Sequence, residues 1–268
     1  MTTLPQVWFI TGASSGFGRA MTELLLKKGV KVVATLRKPE VINDLVQQYT
    51  SEQLLVVKLD VTQPPQVADA FAKAKEAFGR IDVVFNNAVA RSLFETNFWG
   101  ALNVSTEAVK FFRDVNQPQG GRLLQVSSAV GIVGAAGIGF YCASKFALEG
   151  LSESLALELD PKWNIKITIV APGPFHTDAL SNVSAEPVHP AYTDESLGSA
   201  QQRLFVSKNE QDGDSRKAVA VLEKLSHLEN PPLRFSIHKL SIYVARIKGE
   251  RVQKEADEYE AWSEDVYL

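Results

Sequence analysis

Short apolar runs alternate with amphipathic segments along most of the chain. The apolar runs predict strands at 7–11, 31–36, 54–60, 81–88, 121–128 and 164–173, with a last edge strand at 234–236. The segments between them predict helices at 16–29, from 39 onward, and at 64–79, 91–114, 141–159 and 214–228. In 64–79, for example, apolar residues recur at positions 67, 71, 74 and 78, which is one face of a helix.

Repeated alternation of strand and helix predicts a parallel sheet with right-handed crossovers and helices on both faces. Most of the strands are continuously apolar, as expected for strands covered on both sides. Ligands of such sheets bind beyond the carboxyl ends of the strands. The unusual polar and glycine clusters follow the predicted strands, at Gly12–Gly18, Arg37, Asp60, Asn86–Ala88, Ser127–Ser128 and Pro172–Gly173.

Composition narrows the class of protein. The 268 residues leave room for one large domain or two small ones, and the net charge of −3 offers no basic surface for nucleic acid or anionic lipid. A single cysteine, Cys142, excludes an intramolecular disulfide and suits a reducing compartment. Because the first residues lack the pattern of a secretory signal, we expect a cytoplasmic protein. The four histidines are scattered, so no metal site is expected.

The window 123–144 carries no charge over 22 residues, which is long enough to cross a bilayer. It nevertheless contains four glycines, three serines and Gln125, and it lacks an aromatic belt at both ends. A strand, a glycine-rich loop and the start of a helix account for it better. We therefore expect no membrane span.

The stretch TGASSGFG at 11–18 places three glycines at a turn from strand to helix. Such a turn lets the backbone and the helix amides approach a pyrophosphate, although a tight turn that only packs helix against strand is the alternative. Arg37 follows the second strand, where an arginine suits the 2′-phosphate of NADP(H) and a carboxylate suits NAD(H). The pattern therefore favours NADP(H) over NAD(H), with a solvated basic pair Arg37-Lys38 as the alternative.

Tyr141 and Lys145 are four residues apart at the start of a predicted helix, so they share one face. A phenol ordinarily titrates near pH ~10, and a neighbouring ammonium lowers that pKa and makes the tyrosine a usable acid or base. Ser128 ends the preceding strand and could bind a substrate oxygen. An exposed pair of neighbours without function is the alternative.

Together these motifs resemble the classical short-chain dehydrogenase/reductase family over nearly the whole chain. The resemblance is carried, in order, by TGASSGFG, Asp60-Val61, the NNA of 86–88, Asn97, Ser128, YCASK at 141–145 and PGPFHT at 172–177. The stretch KFALEGLSESLALEL at 145–159 resembles the branch of hydroxysteroid and retinol dehydrogenases and carbonyl reductases. The fold implied is a single α/β domain with a Rossmann-type doubly wound parallel sheet of about seven strands.

The resemblance also implies roles for individual residues. Tyr141 would exchange the proton, Lys145 would hold the nicotinamide ribose and lower the pKa of the tyrosine, and Ser128 would polarise the substrate oxygen. Asn97 would complete a proton relay through water. The residues implied in cofactor binding, besides Tyr141 and Lys145, are Gly12, Ser14, Ser15, Gly16, Phe17, Gly18, Arg37, Asp60, Val61, Asn87, Ala88, Pro172, Gly173, Phe175 and Thr177.

One segment departs from the family pattern. Val89 stands where the family has glycine, and the connection from Ala88 to Asn97 is shorter than usual by about a dozen residues, which short strand–helix loops allow. Either this is a true deletion, natural or engineered, or a disordered loop is missing from this sequence. A true deletion would open one wall of the substrate site.

We expect one domain over 1–268, with a cofactor-binding core at 1–173, a substrate-binding loop at 174–213 and C-terminal helices at 214–268. The function expected is an NADP(H)-dependent oxidoreductase that interconverts a ketone or aldehyde with its alcohol. An apolar substrate is expected from Phe140, Phe175 and the loop 131–139. A catalytically weak nucleotide-binding regulator and a structural scaffold are the alternatives. The family suggests a homodimer or homotetramer that uses the helices 91–114 and 141–159.

Overall fold

A seven-stranded parallel sheet organises the protein. The computed structural model describes residues 6–87, 93–177, 188–208 and 211–266. The strands are β1 Val7–Thr11, β2 Lys31–Leu36, β3 Leu54–Lys58, β4 Val83–Asn86, β5 Gly121–Val126, β6 Ile165–Pro172 and β7 Arg234–Ile237. The helices are α1 Gly16–Lys27, α2 Asn43–Gln48, α3 Pro64–Phe78, α4 Ala101–Asp114, α5 Gly139–Glu158, α6 Gly198–Lys208, α7 Ser215–Ser226 and α8 Lys239–Tyr259.

The order of strands in the sheet is β3-β2-β1-β4-β5-β6-β7, and each neighbouring pair is parallel. The chain builds outward from β1 to β3, returns to the centre, and builds outward again from β4 to β7. The reversal leaves a crevice between β1 and β4 at the carboxyl ends of the strands. This arrangement confirms the Rossmann-type doubly wound sheet expected from the alternation of strand and helix.

Helices cover both faces of the sheet, which explains the continuously apolar strands. Along β1, Phe9 points into one core, where Phe71 of α3 and Phe112 of α4 are also buried. Trp8 points into the opposite core, which includes Met21 of α1 and Leu222 of α7. Because successive residues of a strand face opposite sides, one five-residue strand supplies both cores.

Two segments differ from the sequence prediction. The segment 174–213, expected as an irregular substrate-binding loop, contains helix α6, none of whose residues is buried. A helix without a buried apolar face has no marked hydrophobic periodicity, so the pattern of residues does not reveal it. Ahead of α4, the turn Glu95–Gly100 is π-helical rather than α-helical.

The uncharged window 123–144 does not form one long helix. It comprises the last four residues of β5, a 3₁₀ turn at Ala129–Gly131, and the first residues of α5. Among the described residues, no helix is both long enough and apolar enough to cross a bilayer.

Candidate active site

The turn between β1 and α1 has the features of a phosphate site. Gly12 and Gly16 adopt left-handed backbone conformations, with φ of 69° and 56°. Ser14 and Ser15 are exposed. Ser15 is the N-cap of α1, yet its side chain makes no capping bond, and no acidic residue lies in the first turn of this helix. The first amides of α1 are therefore not capped by the Ser15 side chain and suit an anion.

Packing also explains part of the glycine motif. A Cβ atom on Gly18 would overlap the carbonyl oxygen of Gly12. Asn87, which follows β4, donates from Nδ2 to the carbonyl oxygens of Thr11 at 3.2 Å and Gly12 at 3.5 Å. Gly18 and Asn87 thus hold the turn in shape beside the crevice. Ala88 and the unusual Ala88–Val89 junction lie outside the described residues.

Three predicted residues lie at the ends of β2 and β3. The side chain of Asp60 accepts bonds at Oδ1 from the Thr62 amide at 3.1 Å and from the Thr62 hydroxyl at 2.9 Å. Val61 is buried, and its carbonyl accepts a bond from Asn103. Arg37 is exposed, and its side chain makes no hydrogen bond or ion pair with any residue in the described ranges.

The loop after β6 reaches the glycine-rich turn. Pro172 ends β6, and the Gly173 amide donates to the carbonyl of Ile237 at 3.1 Å. The ring of Phe175 meets the ring of Phe17 edge-on, with centroids 5.1 Å apart. Thr177 packs against Gly16. A Cβ atom added to Gly16 would lie 3.5 Å from the Cβ atom of Thr177. The fold therefore joins the two halves of the predicted cofactor site.

Ser128, Tyr141 and Lys145 meet at the carboxyl end of β5. The phenol of Tyr141 lies beside the side chain of Ser128, close enough for that side chain to lower its pKa. The Lys145 ammonium is buried, donates to the carbonyl of Val126 at 3.0 Å, and lies 5.8 Å from the centroid of the Tyr141 ring. A hydroxyl, a phenol and an ammonium thus converge beside the crevice, and that set can bind an oxygen atom and transfer a proton to it.

The pKa of Tyr141 differs from the expectation. The sequence predicts that Lys145 lowers it, whereas in the structure burial of the phenol raises the pKa, and the side chain of Ser128 only partly offsets this. The ammonium bonds Val126 and lies 5.8 Å from the centroid of the ring, so burial of the phenol outweighs its effect on the pKa. Burial lowers the pKa of Lys145 to about 8, against an opposing effect of the Glu149 charge.

Asn97 lies in the π-helical turn, close to the start of α5. Its Nδ2 donates to the hydroxyl of Ser144 at 3.0 Å. Its Oδ1 is buried and has no partner among the described residues. Asn97 therefore contacts the helix that carries Tyr141 and Lys145, and its buried amide oxygen is left without a partner within the described ranges.

A further buried group was missed by the sequence argument. Glu149 accepts a bond from the Ser127 hydroxyl at 2.6 Å and pairs with Arg234 of β7 at 3.0 Å. The spacing of four residues between Lys145 and Glu149 could have drawn attention to it. The partner Arg234 is 85 residues further along the chain and could not have been inferred.

The described residues contain no cluster of three or more His, Cys, Asp or Glu side chains that could hold a metal ion. His227 and His238 instead make local pairs, with Glu223 and Asp212.

Residues 6–187 match the family model described as short chain dehydrogenase. An uncharacterized oxidoreductase of Schizosaccharomyces pombe is 35% identical to this chain, over 96% of this chain and 90% of the yeast protein. A 3-ketodihydrosphingosine reductase of Bacteroides thetaiotaomicron is 34% identical, over 88% of this chain and 89% of its own length.

Solved structures agree with the fold. A short-chain dehydrogenase from Streptomyces avermitilis has a TM-score of 0.87 and 31% identity, covering 99% of this chain and 100% of its own. A Burkholderia phymatum protein in complex with NAD has a TM-score of 0.75 at 20% identity, covering 94% and 95%. A Burkholderia cenocepacia protein in complex with NADP has a TM-score of 0.71 at 23% identity, covering 96% and 98%. At these last two identities the likeness concerns the fold alone.

Proposed function

The chain belongs to the short-chain dehydrogenase family, and on that premise we propose that it transfers a hydride between NADP(H) and a ketone, an aldehyde or a secondary alcohol. It is an oxidoreductase of this family; the cofactor, the substrate class and the narrower carbonyl reductase-like branch are our proposals. The observation that carries the proposed reaction is the convergence of Ser128, Tyr141 and Lys145 at the carboxyl end of β5.

The residues around the crevice fit a dinucleotide. The α1 amides, with Gly12 and Gly16 in left-handed conformations, would hold the pyrophosphate. Asp60, Val61 and Asn87 would border the adenosine, and the segment from Pro172 to Thr177 would hold the nicotinamide end. When bound, the cofactor supplies or accepts the hydride.

Arg37 supports NADP(H) as the cofactor. It is exposed directly after β2, where the ribose of the adenosine half lies in this fold. A guanidinium binds a phosphate through two parallel hydrogen bonds, and no carboxylate occupies this point of the sequence. Solved structures of this fold hold NAD in one case and NADP in another, so the fold does not decide the cofactor, and the proposed preference for NADP(H) rests on Arg37.

The catalytic groups divide the work between them. In the reducing direction Tyr141 donates a proton to the substrate oxygen, and its raised pKa keeps the phenol protonated at neutral pH. The hydroxyl of Ser128 donates to the same oxygen, where negative charge develops. The Lys145 ammonium stabilises the phenolate that remains when the proton has left. Lys145 would also bind the nicotinamide ribose of the cofactor.

An apolar substrate fits the surroundings of Tyr141. Phe140, the residue before it, is 79% exposed at the start of α5. The loop that precedes it carries Gly134, Gly137 and small apolar residues rather than charged ones. The relative named as a 3-ketodihydrosphingosine reductase is consistent with a ketone that carries a long apolar chain. We propose a carbonyl compound of this apolar type.

A homodimer or homotetramer, in the cytoplasm, completes the proposal. Apolar side chains are exposed on the two helical segments expected at the interface: Leu157 is 87% exposed, Trp99 50% and Phe146 42%. Self-association through these faces would cover them. Light scattering coupled to size exclusion measures the mass directly, and a monomer at all concentrations would contradict this part.

Oxidation of NADPH by the purified protein tests the function. The panel should include aryl ketones, aldehydes, steroids and long-chain 3-keto compounds. The variant Tyr141→Phe removes the proton donor and should lower kcat at least a hundredfold. Tyr259→Phe, which removes a hydroxyl far along the C-terminal helix, is the matched control and should retain the rate. Equal activity of wild type and Tyr141→Phe would refute the assignment, and inactivity toward every compound would favour the regulatory alternative.

A further inference from the structure

A buried ion pair lies directly behind the candidate active site. Only 5% of the Glu149 side chain is exposed, and its Oε2 lies 3.0 Å from the Nε of Arg234. The other oxygen, Oε1, accepts a bond from the Ser127 hydroxyl at 2.6 Å. Arg234 in turn donates to the hydroxyl of Ser236 at 2.7 Å. Both carboxylate oxygens of Glu149 are therefore in use.

This ion pair connects the elements that carry the catalytic groups. Ser127 immediately precedes Ser128, and Glu149 follows Lys145 by one helical turn on the same face of α5. Gly131 packs so closely on Glu149 and Ser127 that a Cβ atom there would overlap both side chains. The turn that holds Ser128, the helix that holds Lys145 and the edge strand β7 meet at one carboxylate.

We propose that Glu149 is a positioning residue of the active site, which keeps the Lys145 amine in its charged form and fixes the strand end that presents Ser128. The proposal rests on the function proposed above, because it assigns to Glu149 the support of groups that take part in that reaction.

The physical need for such a residue follows from the burial of Lys145. Burial disfavours an ammonium, and it lowers the pKa of Lys145 to about 8, while the charge of Glu149 acts in the opposite direction. Without that charge, a larger fraction of Lys145 would be neutral at physiological pH. A neutral amine cannot stabilise the Tyr141 phenolate, so reduction would slow at a lower pH than in the wild type.

Few titratable groups lie close to Lys145 and Glu149. On α5 itself the titratable neighbours are Tyr141 and Cys142, and the α4 segment contributes the neutral amide of Asn97. The turn after β5 contributes the hydroxyls of Ser127 and Ser128. The neighbouring elements also carry other charged side chains that form no hydrogen bond or ion pair with Lys145 or Glu149 within the described ranges: Glu95, Arg122, Glu153, Glu158, Lys166 and Lys239. Glu149 is thus the charge that raises the pKa of Lys145 against the effect of burial.

The test compares the pH dependence of kcat/KM for NADPH-dependent reduction in three variants and the wild type. Glu149→Gln keeps the shape and the bond from Ser127 but removes the charge. We expect its alkaline limb to move to lower pH by about one unit. Ser127→Ala keeps the charge and removes the tether, so the limb should stay in place while kcat falls. Glu149→Asp restores the charge and should return the limb toward its wild-type position.

A second readout does not depend on activity. In the wild type, the unfolding free energy should rise with pH between about 8 and 10.5, because the unfolded state binds the lysine proton more tightly. In Glu149→Gln this rise should begin at lower pH. The double variant Glu149→Gln/Arg234→Gln leaves neither charge unpaired, so it serves if the single variant fails to fold.

An alkaline limb and an unfolding profile that Glu149→Gln leaves unmoved would overturn the proposal, as would an equal movement of the limb in Ser127→Ala. If the wild type reduces no carbonyl compound, the proposed function fails, and the unfolding profile still decides whether Glu149 holds the charge of Lys145.

Discussion

The amide nitrogen of Asn97 donates to the hydroxyl oxygen of Ser144 at 3.0 Å, and both side chains are buried. Ser144 passes the connection on, because its hydroxyl donates to the carbonyl of Tyr141 at 2.8 Å. The π-helical turn before α4 is thereby tied to the first turn of α5. Through this chain of bonds, Asn97 positions the backbone that carries Tyr141.

Ser144→Ala should lower the free energy of unfolding by about 1–3 kcal/mol, because it leaves the buried Nδ2 of Asn97 without an acceptor. The matched control is Ser154→Ala on the exposed face of the same helix, which should change stability by less than about 0.5 kcal/mol. Chemical denaturation of the three proteins measures both values. Equal stability of the two variants would show that the bond from Asn97 is unimportant.

Gly131→Ala should lower both stability and reductase rate. The added Cβ would overlap Glu149 and Ser127, and relief of such overlap typically costs about 1–3 kcal/mol. Gly134→Ala, three residues later in the same loop, is the control, since its Cβ would meet no atom within 4 Å. Thermal unfolding and kcat are the measurements, and a Gly131→Ala protein as stable and active as Gly134→Ala would contradict the close packing.

The sheet could be predicted from the sequence because its signal is local. Both β1 and β2 are continuous apolar runs, and their predicted bounds of 7–11 and 31–36 match the structure. Helix α6 could not be predicted, since none of its residues is buried and its pattern carries no period. A local sequence pattern therefore predicts an element only when that element buries an apolar face of its own.

The candidate site, too, could be predicted from the sequence only in part. Tyr141 and Lys145 could be paired because they are one turn apart on a helix. The direction of the Tyr141 pKa could not be foreseen, because it depends on how far the surrounding elements bury the phenol. The same holds for Glu149, whose partner Arg234 comes from a strand 85 residues away.

The variant His238→Gly should be more stable than the variant His238→Ala. Its φ of 102° lies in a region that side chains rarely adopt. Both substitutions remove the imidazole, which caps α8 through the Leu240 amide and bonds Asp212, but only alanine keeps a Cβ in that conformation. We expect a difference of about 1–2 kcal/mol in the free energy of unfolding, measured by denaturant titration. In an ordinary helix or strand alanine is the more stable residue, so that order here would contradict the prediction.

Stability should rise with pH as Lys145 loses its proton. The pKa of Lys145 is lowered from 10.5 to about 8 by burial. Between these values the unfolded state holds the proton and the folded state does not, so the free energy of unfolding increases with pH, by up to about 3 kcal/mol. Below about pH 8 the buried Lys145 is charged in the folded state, and its burial lowers the free energy of unfolding by the full amount. Lys145→Met should lack this rise, and parallel pH profiles of the two proteins would show that Lys145 titrates normally.

Arg37→Asp should reverse the preference between cofactors. A guanidinium that binds the 2′-phosphate contributes about 1.5–3 kcal/mol, so its loss lowers kcat/KM with NADPH roughly ten- to a hundredfold. The new carboxylate can accept bonds from the ribose hydroxyls of NADH, and it repels the phosphate of NADPH. Arg251→Asp makes the same change of charge on the exposed surface of α8 and should leave the ratio of kcat/KM for the two cofactors as it is in the wild type.

Initial rates with each cofactor, at several ionic strengths, measure that ratio. Because a bond to phosphate weakens with salt, the wild-type preference for NADPH should fall as salt is added, whereas that of Arg37→Asp should respond little. A ratio that is the same in the wild type and in Arg37→Asp would remove Arg37 from the cofactor site.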